Sequence, residues 1–152
     1  MLGFFSLSSV QAENTVNWPQ FRGPGASGIA EGVAPPTTWD VPESSNLKWK
    51  TPIPGLGHSC PVVWGDRMFL TTAISDKKRD SLKIGIYHEI APVEKDGVHS
   101  WVLYCIDKST GKVIWERVCH KGVPKDKRHT KSSHANCTPA TDGKRVVSFF
   151  GS

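Results

Sequence analysis

The sequence predicts an all-β fold, and three observations carry that prediction. Fourteen Gly and eleven Pro among 152 residues indicate many turns, whereas few stretches show helical periodicity. Two apolar runs, residues 102–107 and 112–116, flank a polar loop that ends in Gly111, as in an antiparallel hairpin. Residues 60–64 and 67–72 are a second pair of such runs, separated by only two residues.

The first residues resemble an export signal. Residues 1–10 are apolar but too few to span a bilayer, and Val10-Gln11-Ala12 is the small-x-small ending of a cleavage site. No Lys or Arg precedes it, so the basic region of a complete signal is missing. We expect residues 1–12 to be a truncated signal peptide of a periplasmic or extracellular protein, with a frayed N-terminus as the alternative.

Residues 13–46 are expected to form an extended segment rich in Pro and Gly. The glycines of residues 23–28 match the letters of a dinucleotide-binding loop, but no strand precedes them and no long helix can follow. We therefore reject a nucleotide site. Trp18 and Phe21 are expected to anchor this segment onto the main body.

From residue 47 onward we expect strands separated by polar excursions. Residues 46–50 alternate as a short strand that ends at Trp49, and residues 83–87 are a plausible strand within a long polar stretch. A second polar stretch, residues 120–136, precedes a last hairpin that turns at Gly143.

Residues 61–70 align with residues 139–148 as an internal repeat. Pro, Gly and Arg coincide, as does the apolar pair after the Arg, and Trp49 precedes the first copy as Trp115 precedes the second. The offset exceeds a propeller blade of about 40–50 residues, but the two polar excursions account for the excess. Repeated short antiparallel sheets are typical of β-propeller blades. A β-sandwich with accidental similarity is the alternative.

The segment Asp107-x-x-Thr110-Gly111-x-x-x-Trp115 resembles the repeat of the pyrroloquinoline-quinone-like (PQQ-like) β-propeller family, within the quinoprotein alcohol dehydrogenase-like superfamily. Further stretches are similar to a bacterial branch of exported PQQ-binding-like repeat proteins, at residues 18–24, 46–52, 57–67 and 138–143. The resemblance implies four-stranded antiparallel blades. Residues 47–152 would then supply about two blades of a truncated ring of seven or eight. The repeat-defining structural positions are Trp49, Gly65, Asp107, Thr110, Gly111, Trp115 and Gly143.

Two functional classes follow from this resemblance. The first is a non-catalytic binding or assembly scaffold, similar to propellers that assemble outer-membrane proteins. Its partners would be the remaining blades and exported or outer-membrane proteins. The second is a quinoprotein dehydrogenase that oxidises an alcohol or sugar with PQQ held above a divalent cation. Such enzymes commonly add an adjacent cysteine pair, cation ligands and an Asp base, and this sequence has no such constellation. We therefore expect the scaffold, with no catalytic or cofactor residues here, while a hydrolase or sugar-processing propeller stays open.

A basic loop holds the candidate ligand-facing residues, which are Arg128, His129, Lys131 and His134. On a propeller rim they could attract an anionic substrate or an acidic partner; the alternative is a solvated loop whose His residues cap turns. His129, His134 and Cys137 match no compact zinc module, so no metal site is expected. The net charge of +5 is moderate and no aromatic residues interleave the basic ones, so neither nucleic-acid binding nor a membrane span is expected.

The four cysteines allow three pairings, and the sequence does not choose among them. We expect buried free thiols rather than a disulfide framework. If Asp107 pairs with Lys112 in the hairpin, Cys105 lies opposite Ile114.

Overall fold

The computed structural model describes residues 16–32, 34–77, 92–93 and 96–151, and it confirms the all-β prediction. The strands are β1 (Val62–Trp64), β2 (Arg67–Ser75), β3 (His99–Asp107), β4 (Val113–Gly122), β5 (Ala140–Thr141) and β6 (Val146–Val147). The first four form one antiparallel sheet in the order β1-β2-β3-β4, and the last two form a separate hairpin. A single 3-10 turn, Pro24–Ala26, is the helical structure among the described residues.

The four-stranded sheet is buried on both faces around β3. Alternate side chains of a strand point to opposite faces, so successive residues of β3 pack on different sides. One face carries Val62, Phe69, Leu103 and Cys105, with Val146 of the second hairpin packed against them. The other carries Val102, Tyr104 and Ile106, with Trp49, Ile53, Met68, Leu70 and Ile74 against them. Each such buried side chain contributes about 1.5–3 kcal/mol. The sheet therefore needs packing partners on both sides.

Strand β4 is the exception to this burial. Its residues are exposed along nearly the whole strand, including Ile114 at 46% and Val118 at 53%. It is an edge strand of the sheet, with β3 as its one partner among the described residues. A long edge with exposed apolar residues is a surface that other β structure can cover.

The predicted hairpin at Gly111 is confirmed, with one change of register. Asp107 N–H donates to Lys112 O (2.8 Å), as expected. Cys105 nevertheless pairs with Trp115 rather than with Ile114, because a β-bulge follows Cys105. The expected register of Cys105 is therefore wrong by one residue.

The predicted strand at residues 46–50 is wrong. Asn46 has a φ of +55°, which no β-strand contains, and the segment crosses the hairpin turn instead of pairing with a strand. Trp49 Nε1–H donates to Lys108 O (2.9 Å), which fixes this crossing. The predicted signal peptide, residues 1–12, and the predicted strand at 83–87 lie outside the described residues.

The hairpin β5–β6 reproduces β1–β2 at the offset that the sequence repeat predicts. Val62 pairs with Phe69 in the first hairpin. Ala140 pairs with Val147 in the second, and both residues lie 78 positions after their counterparts. The register of the two hairpins is thus the same.

The extended N-terminal segment lies between these two hairpins. Trp18 and Val63 exchange two backbone hydrogen bonds of 2.8 Å, and Thr141 N–H donates to Pro19 O (2.9 Å). The expected anchoring role of Trp18 agrees with this pairing. Phe21 is 58% exposed, so its expected role as an anchor is wrong.

Candidate functional site

The loop from β4 to β5, residues 123–139, folds back onto the start of β3 and builds a buried polar cluster. We call Asp96, His99, Arg128 and His134 the Asp96 cluster. The side chain of His99 is fully buried and that of His134 is 4% exposed. Those of Asp96 and Arg128 are about 90% buried. Charged and imidazole groups removed from water in this way require close partners.

The Asp96 carboxylate is the centre of the cluster. Arg128 donates to both of its oxygens, from Nε to Oδ2 (2.6 Å) and from Nη2 to Oδ1 (3.2 Å). His134 Nε2 lies 2.8 Å from Oδ2, and His99 Nε2 lies 3.9 Å from Oδ1. Two-point pairing of a guanidinium with a carboxylate is among the stronger hydrogen-bonded ion pairs, because both geometry and charge match. The cluster is therefore a specific arrangement of side chains.

Backbone contacts hold the histidines in place. Trp101 Nε1–H donates to His134 O (3.0 Å), which ties the loop to β3. The imidazoles of His99 and His134 meet edge to face, with ring centroids 5.0 Å apart. His99 Nδ1 lies 3.2 Å from Gly97 O, so a proton on Nδ1 leaves the Nε2 lone pair turned toward Asp96.

Arg128 also organises the loop itself. Its Nη1 donates to Ser132 O (3.1 Å) and His129 O (3.4 Å). Asn136 Oδ1 accepts from both Ser133 N–H (3.1 Å) and the Ser133 hydroxyl (2.7 Å). These bonds replace a regular ladder, because Ser and Asn side chains satisfy backbone groups in turns.

A solvent-connected cavity of about 230 Å³ adjoins the cluster. Its wall contains Arg128 and His134 of the cluster, together with Asp126, Lys127, His129, Ser132, Ser133, Asn136, Cys137 and Gly151. Most of these residues are polar or basic, so small polar or anionic groups and water fit it better than apolar ligands do.

No protein-family model, curated protein or solved structure matches this chain. No helix of the described residues is long and apolar enough to cross a membrane. The site must therefore be interpreted from its own geometry.

The four predicted ligand-facing residues divide into two pairs. Arg128 and His134 come together at Asp96, whereas His129 and Lys131 are exposed. His129 lies on the cavity wall, and its Nδ1 accepts from Lys131 N–H (3.1 Å), a turn-capping contact of the kind that the alternative interpretation expected. The sequence therefore predicts two members of the cluster and two surface residues of the same loop.

Sequence reasoning missed Asp96 and His99. Their spacing, Asp-x-x-His, is too common to carry a signal, and 38 residues separate Asp96 from His134. Neither His129 nor Cys137 belongs to the Asp96 cluster, so the zinc set weighed for the loop is not assembled among the described residues.

All four cysteines are free thiols in the structure. Cys105 is buried, as expected, and burial raises the pKa of its thiol. The other three cysteines are exposed, so the expectation of buried thiols is wrong for them.

The repeat-defining residues lie at turns and in packing contacts away from the cavity. Oδ1 of Asp107 accepts from the N–H and hydroxyl groups of both Ser109 and Thr110, at 2.6–2.9 Å. Trp49 covers Gly111, Trp64 covers Gly143, and the Trp115 ring lies 6.0 Å from that of Phe69. The remaining position, Gly65, has a φ of +56° in the two-residue turn between β1 and β2.

Proposed function

We propose that this chain supplies consecutive blades of a PQQ-like β-propeller that acts as a non-catalytic binding or assembly scaffold in an exported compartment. A blade is a four-stranded antiparallel meander with both faces packed; β1 to β4 have that order, and the sheet is packed on both faces around β3.

The observation that carries the proposal is that equivalent residues of the two repeats touch. His58 Nδ1 lies 3.2 Å from Asn136 Oδ1, and Cys60 N–H donates to Thr138 Oγ1 (3.0 Å). Each of these pairs is separated by 78 residues, which is the repeat offset. Units arranged by rotation about a common axis bring their equivalent inner residues together, whereas the two layers of a sandwich have no such requirement.

The exposed apolar residues of β4 support further blades as partners. Ile114 and Val118 lie four residues apart on β4, and each side chain is about half exposed. Propeller blades pack face to face, so additional blades would cover such residues.

The scaffold interpretation places partner contacts on the basic loop. Lys131 and His129 are exposed there, while the guanidinium of Arg128 is engaged with Asp96. An acidic segment of an exported or outer-membrane protein is the partner that this surface suits.

The alternative is a quinoprotein alcohol or sugar dehydrogenase. The described residues do not resemble its cation site, because the buried carboxylate lies beside two imidazoles and not beside the Asn side chain that the resemblance implies. The alternative therefore requires cofactor residues in other blades.

A dye-linked oxidation assay separates the two functions. Full-length protein is incubated with PQQ and Ca²⁺, and dye reduction is followed with a panel of primary alcohols and aldoses. We expect no turnover above that of heat-denatured protein. Robust, PQQ-dependent turnover would overturn the scaffold proposal.

Site-specific photo-crosslinking tests the scaffold itself. A photoreactive residue at Lys131 in the full-length protein is expected to yield adducts with exported or outer-membrane proteins in cells. The same residue at Lys112, which is exposed in the β3–β4 turn, serves as the control. Equal adducts at both positions, or none at Lys131, would contradict binding through the basic loop.

A further inference from the structure

We propose that Asp96, His99 and His134 bind one divalent transition-metal ion, with zinc as the best fit. The three donor atoms all lie within 4.8 Å of one another. This inference stands apart from the scaffold role, because it depends only on the buried cluster between β3 and the loop.

The donor set is the one that zinc prefers. Two imidazole nitrogens and one carboxylate oxygen, with water in a fourth position, form a common zinc arrangement, whereas Ca²⁺ and Mg²⁺ favour oxygen ligands. Bonds of about 2.0–2.2 Å in a tetrahedron place the ligand atoms roughly 3.4 Å apart. His134 Nε2 lies 2.8 Å from Asp96 Oδ2, and His99 Nε2 lies 3.9 Å from the other oxygen, Oδ1. Closing the site around an ion therefore requires the carboxylate and the rings to adjust their positions.

The surrounding contacts orient the ligands as in metal centres. A metal-binding imidazole usually donates its other N–H to a carbonyl or carboxylate, which fixes the tautomer. Gly97 O lies 3.2 Å from His99 Nδ1 and can accept a hydrogen bond from an Nδ1–H group. Arg128 holds the Asp96 carboxylate through both oxygens, which fixes the orientation of that group toward the two imidazoles.

Binding replaces the contact between His134 Nε2 and Asp96. The Nε2 nitrogen must present its lone pair to the ion, so the neutral Nδ1–H tautomer of His134 is the form that binds. The negative charge of Asp96 offsets part of the charge of the ion. The guanidinium of Arg128 opposes binding by its charge but positions the carboxylate, as ligand-holding groups outside the coordination shell do.

Access to the site is provided by the adjacent cavity. His134 lies on its wall, so an ion and its fourth ligand, water, can enter from that side, while the side chain of His99 is fully buried. His99 belongs to β3, Asp96 lies three residues before it, and His134 belongs to the loop between β4 and β5. A bound ion would therefore fasten the loop to the sheet.

Equilibrium dialysis of the full-length protein tests the site. Chelator-treated protein is dialysed against micromolar ZnCl₂. The bound zinc per chain is then measured by mass spectrometry, and the unfolding temperature is measured with and without zinc. We expect one more zinc per chain in the wild type than in His134→Gln, and about 100-fold weaker binding in that variant. His129→Gln, which changes an exposed residue of the same cavity wall, should keep the zinc and its stabilisation.

A measurement on the unaltered protein keeps the test independent of how the variants fold. Co²⁺ is added to chelator-treated wild-type protein, and visible absorption of a four- or five-coordinate ion is expected, with displacement by one equivalent of Zn²⁺. Absence of these bands, or equal zinc binding by the wild type and a folded His134→Gln variant, would overturn the proposal. The propeller proposal would be unaffected by either result.

Discussion

At the scale of single residues, the contacts of Asp107 explain why the repeat motif has an Asp at the start of its turn and a Thr three residues later. One carboxylate oxygen accepts four hydrogen bonds, from the N–H and hydroxyl groups of Ser109 and Thr110. These bonds hold the pKa of Asp107 down, from 3.8 to about 2, with the Ser109 hydroxyl as the largest cause. The carboxylate thus replaces backbone partners that a tight turn does not supply.

This turn predicts an acid-dependent contribution to stability. The folded-state pKa of Asp107 is depressed, so its stabilisation is present above pH 3.8 and is lost as the pH falls toward about 2. We expect Asp107→Asn to lower the unfolding temperature by a few degrees at neutral pH, since the turn is exposed and solvent screens the charge. Urea unfolding at a series of pH values should show this deficit shrinking below pH 3.8.

The control for this prediction is Asp126→Asn, a substitution of an exposed acid in the basic loop. It should leave the pH dependence of unfolding close to that of the wild type. A deficit for Asp107→Asn that is as large at acid pH as at neutral pH would show that charge is not the cause.

The candidate site shows how far single residues can be interpreted from sequence. The basic loop was identifiable because Arg128 and His134 lie in a dense run of basic and His residues. Asp96 and His99 could not be identified in the same way, because the contact of Asp96 with His134 joins segments that are far apart in the chain. Proximity in the sequence predicted which loop contributes, and only tertiary packing decides which side chains meet.

At the scale of elements, Trp-over-Gly contacts join the turns to their neighbours. A Cβ at Gly143 would overlap the indole of Trp64, and one at Gly111 would overlap Trp49. Both glycines also have positive φ, of +84° and +73°, which other residues adopt at a cost. Glycine is therefore required at these two turns for both conformation and space.

The two repeats offer a matched pair of substitutions that separates these causes. Gly65 and Gly143 occupy equivalent repeat positions with positive φ, but a Cβ at Gly65 would meet nothing within 4 Å. Gly65→Ala should cost about 1–2 kcal/mol of unfolding free energy from its conformation alone. Gly143→Ala should cost about 1–3 kcal/mol more, because the methyl group collides with Trp64.

Denaturant unfolding of the two variants measures the difference. Repeating both substitutions in a Trp64→Ala background should remove most of the gap, as expected for a direct interaction. Equal destabilisation of the two single variants would mean that the Trp64 ring moves aside without cost.

Strands were predictable where alternation and turn chemistry agreed, and not elsewhere. The runs around Gly65 and Gly111 became β1 to β4, because β1 to β3 bury apolar residues in the packed sheet and the turn at Gly111 pairs β4 with β3. Residues 46–50 alternate equally well, yet they cross a turn, since the hydrogen bond from Trp49 to Lys108 O outweighs the local pattern. A short alternating pattern cannot distinguish a strand from an extended segment anchored by one large side chain.

At the scale of the whole molecule, the N-terminal segment connects the two repeats. Trp18 pairs with Val63 of β1, and the next residue, Pro19, accepts a hydrogen bond from Thr141 of β5. Val63 and Thr141 are equivalent positions of the repeat, 78 residues apart. The composition of residues 13–46 indicated an extended path, but it held no information about which two strands that path would join.

This bridge predicts that one substitution loosens both repeats together. The Trp18 ring packs over Gly23 within the segment, so Trp18→Ala should loosen the segment and weaken its backbone pairing on both sides. We expect the amides of Val63 and Thr141 to exchange hydrogen about tenfold faster, since local opening exposes them, while the amide of Val102 in the central strand keeps its protection. Native-state exchange measured by mass spectrometry or NMR reports these amides separately, and Phe21→Ala, which alters a mostly exposed ring of the same segment, should leave them unchanged. If Val63 loses protection while Thr141 does not, the segment rests on β1 alone and the two repeats are held together by their direct contacts at His58 and Cys60.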